Sequence, residues 1–178
     1  MNAVVTAVAQ GALFIVLGAA LAAWVVSTPR IRLELVVGGL LAVVLVAIAV
    51  KGASLVWSDP RPFVVDGQPP LFAHPDDNGF PSDHTTVAAA VSGVVLAARR
   101  LWGVALLVVS ALIGAARVAA HVHHVPDVVG GFLIGLVCAA LAVALARVVA
   151  DRVASRRELG PWGVPGRRLA GERTVERS

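Results

Sequence analysis

Charge is scarce in this chain: 15% of its 178 residues are Asp, Glu, Lys or Arg, where soluble domains carry about 25%. Lysine is almost missing, with Lys51 alone of its kind. Cysteine is limited to Cys138, which excludes an intrachain disulfide and a cysteine-rich metal site. No Lys or Arg precedes Arg30, so the basic start of a secretory leader is lacking and the first apolar run is expected to be a retained helix. No internal repeat is evident. A lone lysine amid many Ala, Val, Gly and Arg residues hints at a GC-rich bacterial genome.

Apolar residues fill the space that charge leaves. They make up 58% of the chain, with a mean hydropathy of +0.84, and they stand in long runs near 3–26, 33–56, 80–98, 101–120 and 127–150. Each run approaches the roughly 20 residues needed to cross about 30 Å of hydrocarbon. The expected fold is all-α: one polytopic membrane helix bundle with about five transmembrane helices. The transmembrane domain is placed at 1–150 and a polar tail at 151–178. A net charge of +4 raises nucleic acid as a partner. The arginines, however, flank apolar runs and fill the tail, a pattern that marks the cytoplasmic side of a membrane protein, so no nucleic-acid partner is expected.

Arg30 and Arg32 fall between runs one and two. Arg99 and Arg100 fall between runs three and four, and Arg152, Arg156, Arg157, Arg167 and Arg168 follow run five. Five crossings put all of these on one side, taken as cytoplasmic, with the N-terminus outside and the tail inside. The 57–80 loop and the 120–127 connection then face out. Six prolines in or just after the 57–80 loop argue against helix there. Trp57 and Trp102 suit the interface, and Gly38, Gly39, Gly130, Gly131 and Gly135 permit close helix packing, within or between chains.

Three clusters with chemical potential face that outer side. Arg117, His123 and Asp127 stand as R-x5-H-x3-D. Ionisable groups beside hydrocarbon usually persist for ions, protons or charged substrates. A carboxylate within reach of the His123 ring would fix its tautomer and sharpen the other nitrogen as nucleophile or base. A straight helix would not align Arg117 with His123; a break near 121–126 would, and Pro126 favours a helix start there. The alternative is an interfacial arginine with surface histidines. Pro81-Ser82-Asp83-His84 looks like a helix start, capped by Ser82 or Asp83, whose free backbone N–H groups suit an anion. His84 would stand beside that anion, or be incidental to plain capping. Arg61, rigidly presented between Pro60 and Pro62, suits phosphate or lipid head groups. His74, Asp76 and Asp77 share the outer loop and are expected to be solvent-exposed there, a divalent-ion site being the alternative. His121 and His124 flank His123.

In sequence order, R61-P62, P81-S82-D83-H84 and R117-x5-H123-x3-D127 resemble the signature K-x6-R-P, P-S-G-H and S-R-x5-H-x3-D of the type 2 phosphatidic acid phosphatase superfamily. The P-R-P-F and F-P-S-D-H forms look most like its bacterial undecaprenyl-diphosphate phosphatases. The resemblance spans residues 51–127 by motif and about 30–150 by helix arrangement. Three positions depart from it. The family lysine falls on Ser54, so either Lys51, one turn earlier, substitutes or the arginines suffice. Ala116 replaces the serine before the second arginine. Asp83 replaces the glycine of P-S-G-H, a change expected in the undecaprenyl-type subgroup.

The resemblance implies a multi-pass protein of the bacterial cell membrane, active on the outer face. It would hydrolyse undecaprenyl diphosphate to the monophosphate, with phosphatidic acid, phosphatidylglycerol phosphate or another polyprenyl phosphate as alternative substrates. It further implies that His123 attacks phosphorus and forms a phosphohistidine, that Asp127 orients it and that His84 protonates the leaving group. Arg61, Arg117, Lys51 and the backbone around Ser82 would bind phosphoryl oxygens, with Asp83 and His124 as further substrate contacts. No metal or other cofactor is implied. Two other classes compete: a metal-dependent hydrolase using His84, His121, His123 and Asp127 as ligands, and a non-catalytic lipid-phosphate carrier, channel or scaffold. Oligomeric state is not readable.

Overall fold

The computed structural model describes residues 2–159, and these form helices with no strand among them. In chain order they are α1 (Asn2–Val25), α2 (Pro29–Val56), α3 (Pro62–Asp66), α4 (Asp83–Ala98), α5 (Arg100–Ala119) and α6 (Val125–Leu159). The long apolar runs become α1, α2, α4, α5 and α6. Four of these are long and apolar enough to cross a membrane; α4, with 16 residues, is shorter and rises about 24 Å. Large apolar side chains such as Phe14, Leu40, Leu101 and Leu133 are exposed on the outside of the bundle. That is the surface expected of a multi-pass membrane protein, whose solvent is hydrocarbon.

Several boundaries differ from the sequence reading. The third run loses its first residues because Ser82 donates its N–H to the carbonyl of Asp127 (3.1 Å), tying the entry of α4 to α6 before the helix begins. The last run extends at both ends. Pro126 is tolerated in the first turn of α6, where no intrahelical N–H is required, and the helix continues past residue 150 to Leu159. Residues 160–178, with Arg167 and Arg168, lie outside the described residues. The proline-rich loop is not wholly irregular: α3 forms one short helix there, with Pro62 at its first position and Gly67 ending it at φ 71°.

The shortest of the long helices is the central one. Helix α4 packs on α1, α2, α5 and α6, burying Ala88, Ala89, Ala90, Val94 and Val95. Its buried polar residues are satisfied internally, as hydrocarbon demands: Ser92 pairs with Ser110 of α5 (3.0 Å), and the Thr86 hydroxyl donates to the Ser82 carbonyl (2.8 Å). Small residues let α4 and α6 approach closely. A Cβ added at Gly135 would run into the Thr86 carbonyl oxygen and sit 2.9 Å from Ala89 Cβ. Gly135 therefore serves packing within the chain.

The two ends of the bundle differ in chemistry. At one end Arg99 donates to the Val26 carbonyl (2.6 Å), Arg32 to the Trp24 carbonyl (3.2 Å), and Arg30 pairs with Asp151 (2.7 Å). Arg99 and Arg32 thus engage carbonyls where α1 ends, a favourable position for a cation. The 57–82 and 120–124 connections meet at the other end. Asn78 organises them: its side-chain oxygen accepts the N–H groups of Asp59 (2.9 Å) and Phe80 (3.0 Å), while its amide donates to the Trp57 carbonyl (3.0 Å).

Gly135→Ala is predicted to destabilise the bundle by about 1–3 kcal/mol, the usual cost of overpacking, seen as a lower thermal midpoint in detergent. Gly18→Ala, with nothing within 4 Å of the new methyl, should leave that midpoint unchanged or higher. Equal midpoints for the two variants would show that this crossing does not set the α4–α6 spacing.

Candidate active site

The chain break expected near 121–126 is present. Helix α5 ends at Ala119, His121 turns the backbone at φ 63°, and α6 begins at Val125. That turn folds His123 back toward the last turn of α5, so Arg117 and His123 meet although no straight helix would align them. Arg61, from the start of α3, enters from the other side. Arg61, Arg117, His123 and Asp127 are all buried, with exposures of 5%, 3%, 2% and 0%.

His123 Nε2 lies 3.3 Å from Arg61 Nη1 and 3.3 Å from Arg117 Nη2. Guanidinium nitrogens only donate, so Nε2 must present its lone pair. The ring proton then sits on Nδ1, which faces Asp127 Oδ2 at 3.4 Å, a long contact of the kind that tightens when substrate binds. Burial is the main force pushing the His123 basicity below its ordinary value of 6.5; the two arginines push the same way and Asp127 opposes them. The ring is a neutral imidazole with a free nitrogen between two cations.

Each guanidinium is braced, with donors left over. Arg61 gives Nε and Nη2 to Asp77 Oδ1 (2.7 Å each) and Nη1 to the Val122 carbonyl (2.7 Å). Arg117 gives Nη2 to His74 Nε2 (2.8 Å), and its Nε is buried without an acceptor. An orphaned buried donor costs about 1–3 kcal/mol, a cost that an anion oxygen would remove. Asp127 accepts the His124 N–H through Oδ2 (2.8 Å), and its Oδ1 is also buried without a partner.

Helix α4 adds an N-terminus. Its first intrahelical bond runs from the Thr86 N–H to the Ser82 carbonyl (2.9 Å), leaving the N–H groups of Asp83, His84 and Thr85 ahead of it. His84, half-buried in that first turn, is near enough to Arg117, His123 and His74 to feel their charge. Asp83 is exposed and borders an apolar groove between α1, α2 and α4 of about 670 Å³, lined by Leu21, Gly39, Ala47, Val87 and Val91 among others.

Not every candidate joins the cluster. The Ser82 hydroxyl is wholly buried and pairs with Thr85 Oγ1 (3.1 Å), and its N–H is taken by Asp127, so neither the hydroxyl nor that amide is open to an anion. Lys51 is exposed on α2 and bonds none of the site residues. His124 turns its ring away to Asp59 (Nδ1 to Oδ2, 2.9 Å), and His121 pairs with Asp66 (2.9 Å). The metal alternative built on His84, His121, His123 and Asp127 loses its ligand set, because these four do not converge within ligand distance among the described residues.

His74 and Asp77, read as exposed loop residues, and Asp59, not singled out in the sequence, border the site. Asp77 is exposed as expected, while His74 is half-buried; the backbone of their loop is anchored by the Leu71 N–H on the Ala120 carbonyl (3.1 Å). This lays the His74 ring edge-on to His123, centroids 6.2 Å apart. No spacing in the sequence signals these pairings.

Comparison with known proteins adds an independent line. A profile of the PAP2 superfamily matches residues 35–150. The undecaprenyl-diphosphatase BcrC of Bacillus subtilis (strain 168) is 37% identical over 84 residues, 47% of this chain and 44% of that protein. The putative undecaprenyl-diphosphatase YbjG of Escherichia coli (strain K12) is 40% identical over 78 residues, 43% of this chain and 39% of that protein. Each match thus spans less than half of the relative's length. Among solved structures, that of Aquifex aeolicus LpxE superposes with a TM-score of 0.66 at 25% identity, over 80% of this chain and 85% of that one.

In ¹⁵N-histidine spectra of the protein in detergent, His123 should carry its proton on Nδ1 and titrate below the ordinary histidine value. As pH falls the lone pair on Nε2 survives past the point where a free histidine is half protonated, because burial disfavours the charged form. A proton on Nε2 at neutral pH, or a midpoint at or above 6.5, would contradict the arrangement.

Proposed function

The chain belongs to the PAP2 superfamily, and from that premise we propose that it is an integral membrane lipid phosphatase that hydrolyses undecaprenyl diphosphate to undecaprenyl phosphate through a phosphohistidine. The observation that carries this reading is the lone pair of His123 Nε2 held between two buried guanidiniums. Phosphoryl transfer depends mainly on positioning and on stabilising charge, and this arrangement supplies both.

In the first step His123 Nε2 attacks the terminal phosphorus. The N–P bond forms as the bond from phosphorus to the bridging oxygen breaks, and His84 gives a proton to the departing undecaprenyl phosphate. Asp127 holds the Nδ1 proton and stabilises the positive charge on the phosphorylated ring. In the second step water attacks phosphorus and passes a proton to His84. The N–P bond breaks, inorganic phosphate leaves, and both histidines return to their starting states. Arg61, Arg117 and the free amides of α4 hold the non-bridging oxygens throughout.

The substrate follows from two supports. The relatives BcrC and YbjG carry undecaprenyl-diphosphatase in their names, and the apolar groove between α1, α2 and α4 ends at Asp83, beside His84. A polyprenyl tail would lie in that groove with its head group at the arginines. The site occupies the end of the bundle opposite Arg30, Arg32 and Arg99, and the positive-inside rule supports the outer face of a bacterial cell membrane for it.

Purified protein in detergent with EDTA should release phosphate from undecaprenyl diphosphate, and His123→Ala should reduce release by at least about a thousandfold, as for loss of a covalent nucleophile. No release from this or any other lipid phosphate by the parent would overturn the proposal. Ala47→Trp, which fills the groove, should raise KM for the polyprenyl substrate about tenfold and leave a short-chain diphosphate unaffected; equal effects on both would remove the groove from the account.

A further inference from the structure

The proposed chemistry uses one oxygen of Asp127 and leaves the other unexplained. Asp127 is wholly buried, and Oδ1 has no hydrogen-bond partner while Oδ2 serves His123 and His124. Beside it stands a second carboxyl. Ligand atoms of Asp59, His124 and Asp127 all lie within 4.8 Å of one another. Two neighbouring carboxylates cannot both stay ionised at low cost, so such a pair shares a proton.

The surroundings of Asp59 are built to hold it there. Its N–H is taken by the Asn78 side chain (2.9 Å) and its carbonyl accepts the Gly79 N–H (2.8 Å). Gly79 is buried, and a Cβ on it would lie 3.0 Å from both Asp127 Oδ2 and the Asp59 carbonyl oxygen, so the loop passes as close as a backbone without a side chain allows. The Asp59 side chain is fixed by His124, whose Nδ1 lies 2.9 Å from Oδ2.

We propose that Asp59 is a positioning residue for the reaction: a proton shared between the two carboxyls bridges Asp59 to Oδ1 of Asp127, and His124 donates through Nδ1 to Asp59. The chain His124–Asp59–Asp127–His123 then satisfies every buried carboxyl oxygen. It keeps Asp127 the anionic member and fixes the oxygen that faces His123. Asp59 touches no substrate and acts only through Asp127. The kinetic part rests on the phosphatase reading; the hydrogen-bonded chain does not.

The test compares Asp59→Asn, Asp59→Ala and His124→Ala. An asparagine amide can replace a protonated carboxyl as donor, so Asp59→Asn should retain most of the parent kcat. Asp59→Ala should lose about tenfold to a hundredfold in kcat, the range for residues that orient a group in direct contact, with KM unchanged and the thermal midpoint near that of the parent. His124→Ala should show a smaller loss of the same kind. Asp59→Asn as impaired as Asp59→Ala would overturn the donor role, as would a change confined to KM. Calcium binding to the parent that Asp59→Asn abolishes would replace the proton with a cation.

A second readout needs no turnover. The low-field Nδ1 proton of His123 should appear in spectra of the resting parent and of Asp59→Asn, and broaden or vanish in Asp59→Ala. Its presence unchanged in Asp59→Ala would refute the positioning role even if no substrate were cleaved. Absence of turnover by the parent with the proton pattern as stated would instead count against the phosphatase reading alone.

Discussion

Two guanidiniums meeting over one unprotonated imidazole nitrogen is the constraint on which the rest of this structure depends. Arg61 and Arg117 are both buried and both within 3.3 Å of His123 Nε2. Like charges taken out of water at such range repel, and each carries a desolvation penalty of several kcal/mol. The fold offsets this from behind. Asp77 and the Val122 carbonyl hold Arg61, His74 holds Arg117, and Asp127 stands on the far side of the imidazole. Among the described residues Arg117 Nε has no acceptor. A site with a donor left over in this way suits an anion with several acceptor oxygens, which in the proposed function is a phosphoryl group.

The bundle serves that juxtaposition. Arg117 ends α5, Asp127 opens α6 and His84 opens α4, so three helix ends must come to one level. Close α4–α6 packing through small residues brings them there, and the Ser82 N–H on the Asp127 carbonyl locks the level. The shortness of α4 fits this role. It begins at Asp83, so its free first-turn amides lie at the same end of the bundle as the connections that carry Arg61 and His123, and Asp83 borders the apolar groove. Membrane embedding, substrate tail and head-group chemistry thus share one axis in the proposed function.

Much of this was legible in the sequence, for identifiable reasons. Long apolar runs fix helices because hydrocarbon leaves few alternatives, and R117-x5-H123-x3-D127 is a local pattern that needs only one chain break to close. The partners that brace the site are not local. Asp77 meets Arg61 across 16 residues, His74 meets Arg117 across 43, and Asp59 meets His124 across 65, and nothing in spacing or residue type announces those pairings. Ser82 illustrates the opposite error. A serine at a helix start reads as a cap or an anion ligand, yet its hydroxyl turns inward to Thr85. Lys51 reads as a phosphate ligand because it is the lone lysine near a family lysine position, while the structure leaves it exposed on α2. Pro62 reads as a helix breaker, although at the first position of α3 it breaks nothing.

The central claim is that His123 itself takes the phosphoryl group. Rapid quenching of the protein with undecaprenyl diphosphate labelled with ³²P at the terminal phosphate tests it most directly. A stoichiometric, alkali-stable and acid-labile label is expected on the peptide that contains His123, absent from His123→Ala. Turnover with no protein-bound label, or a label on another residue, would contradict it.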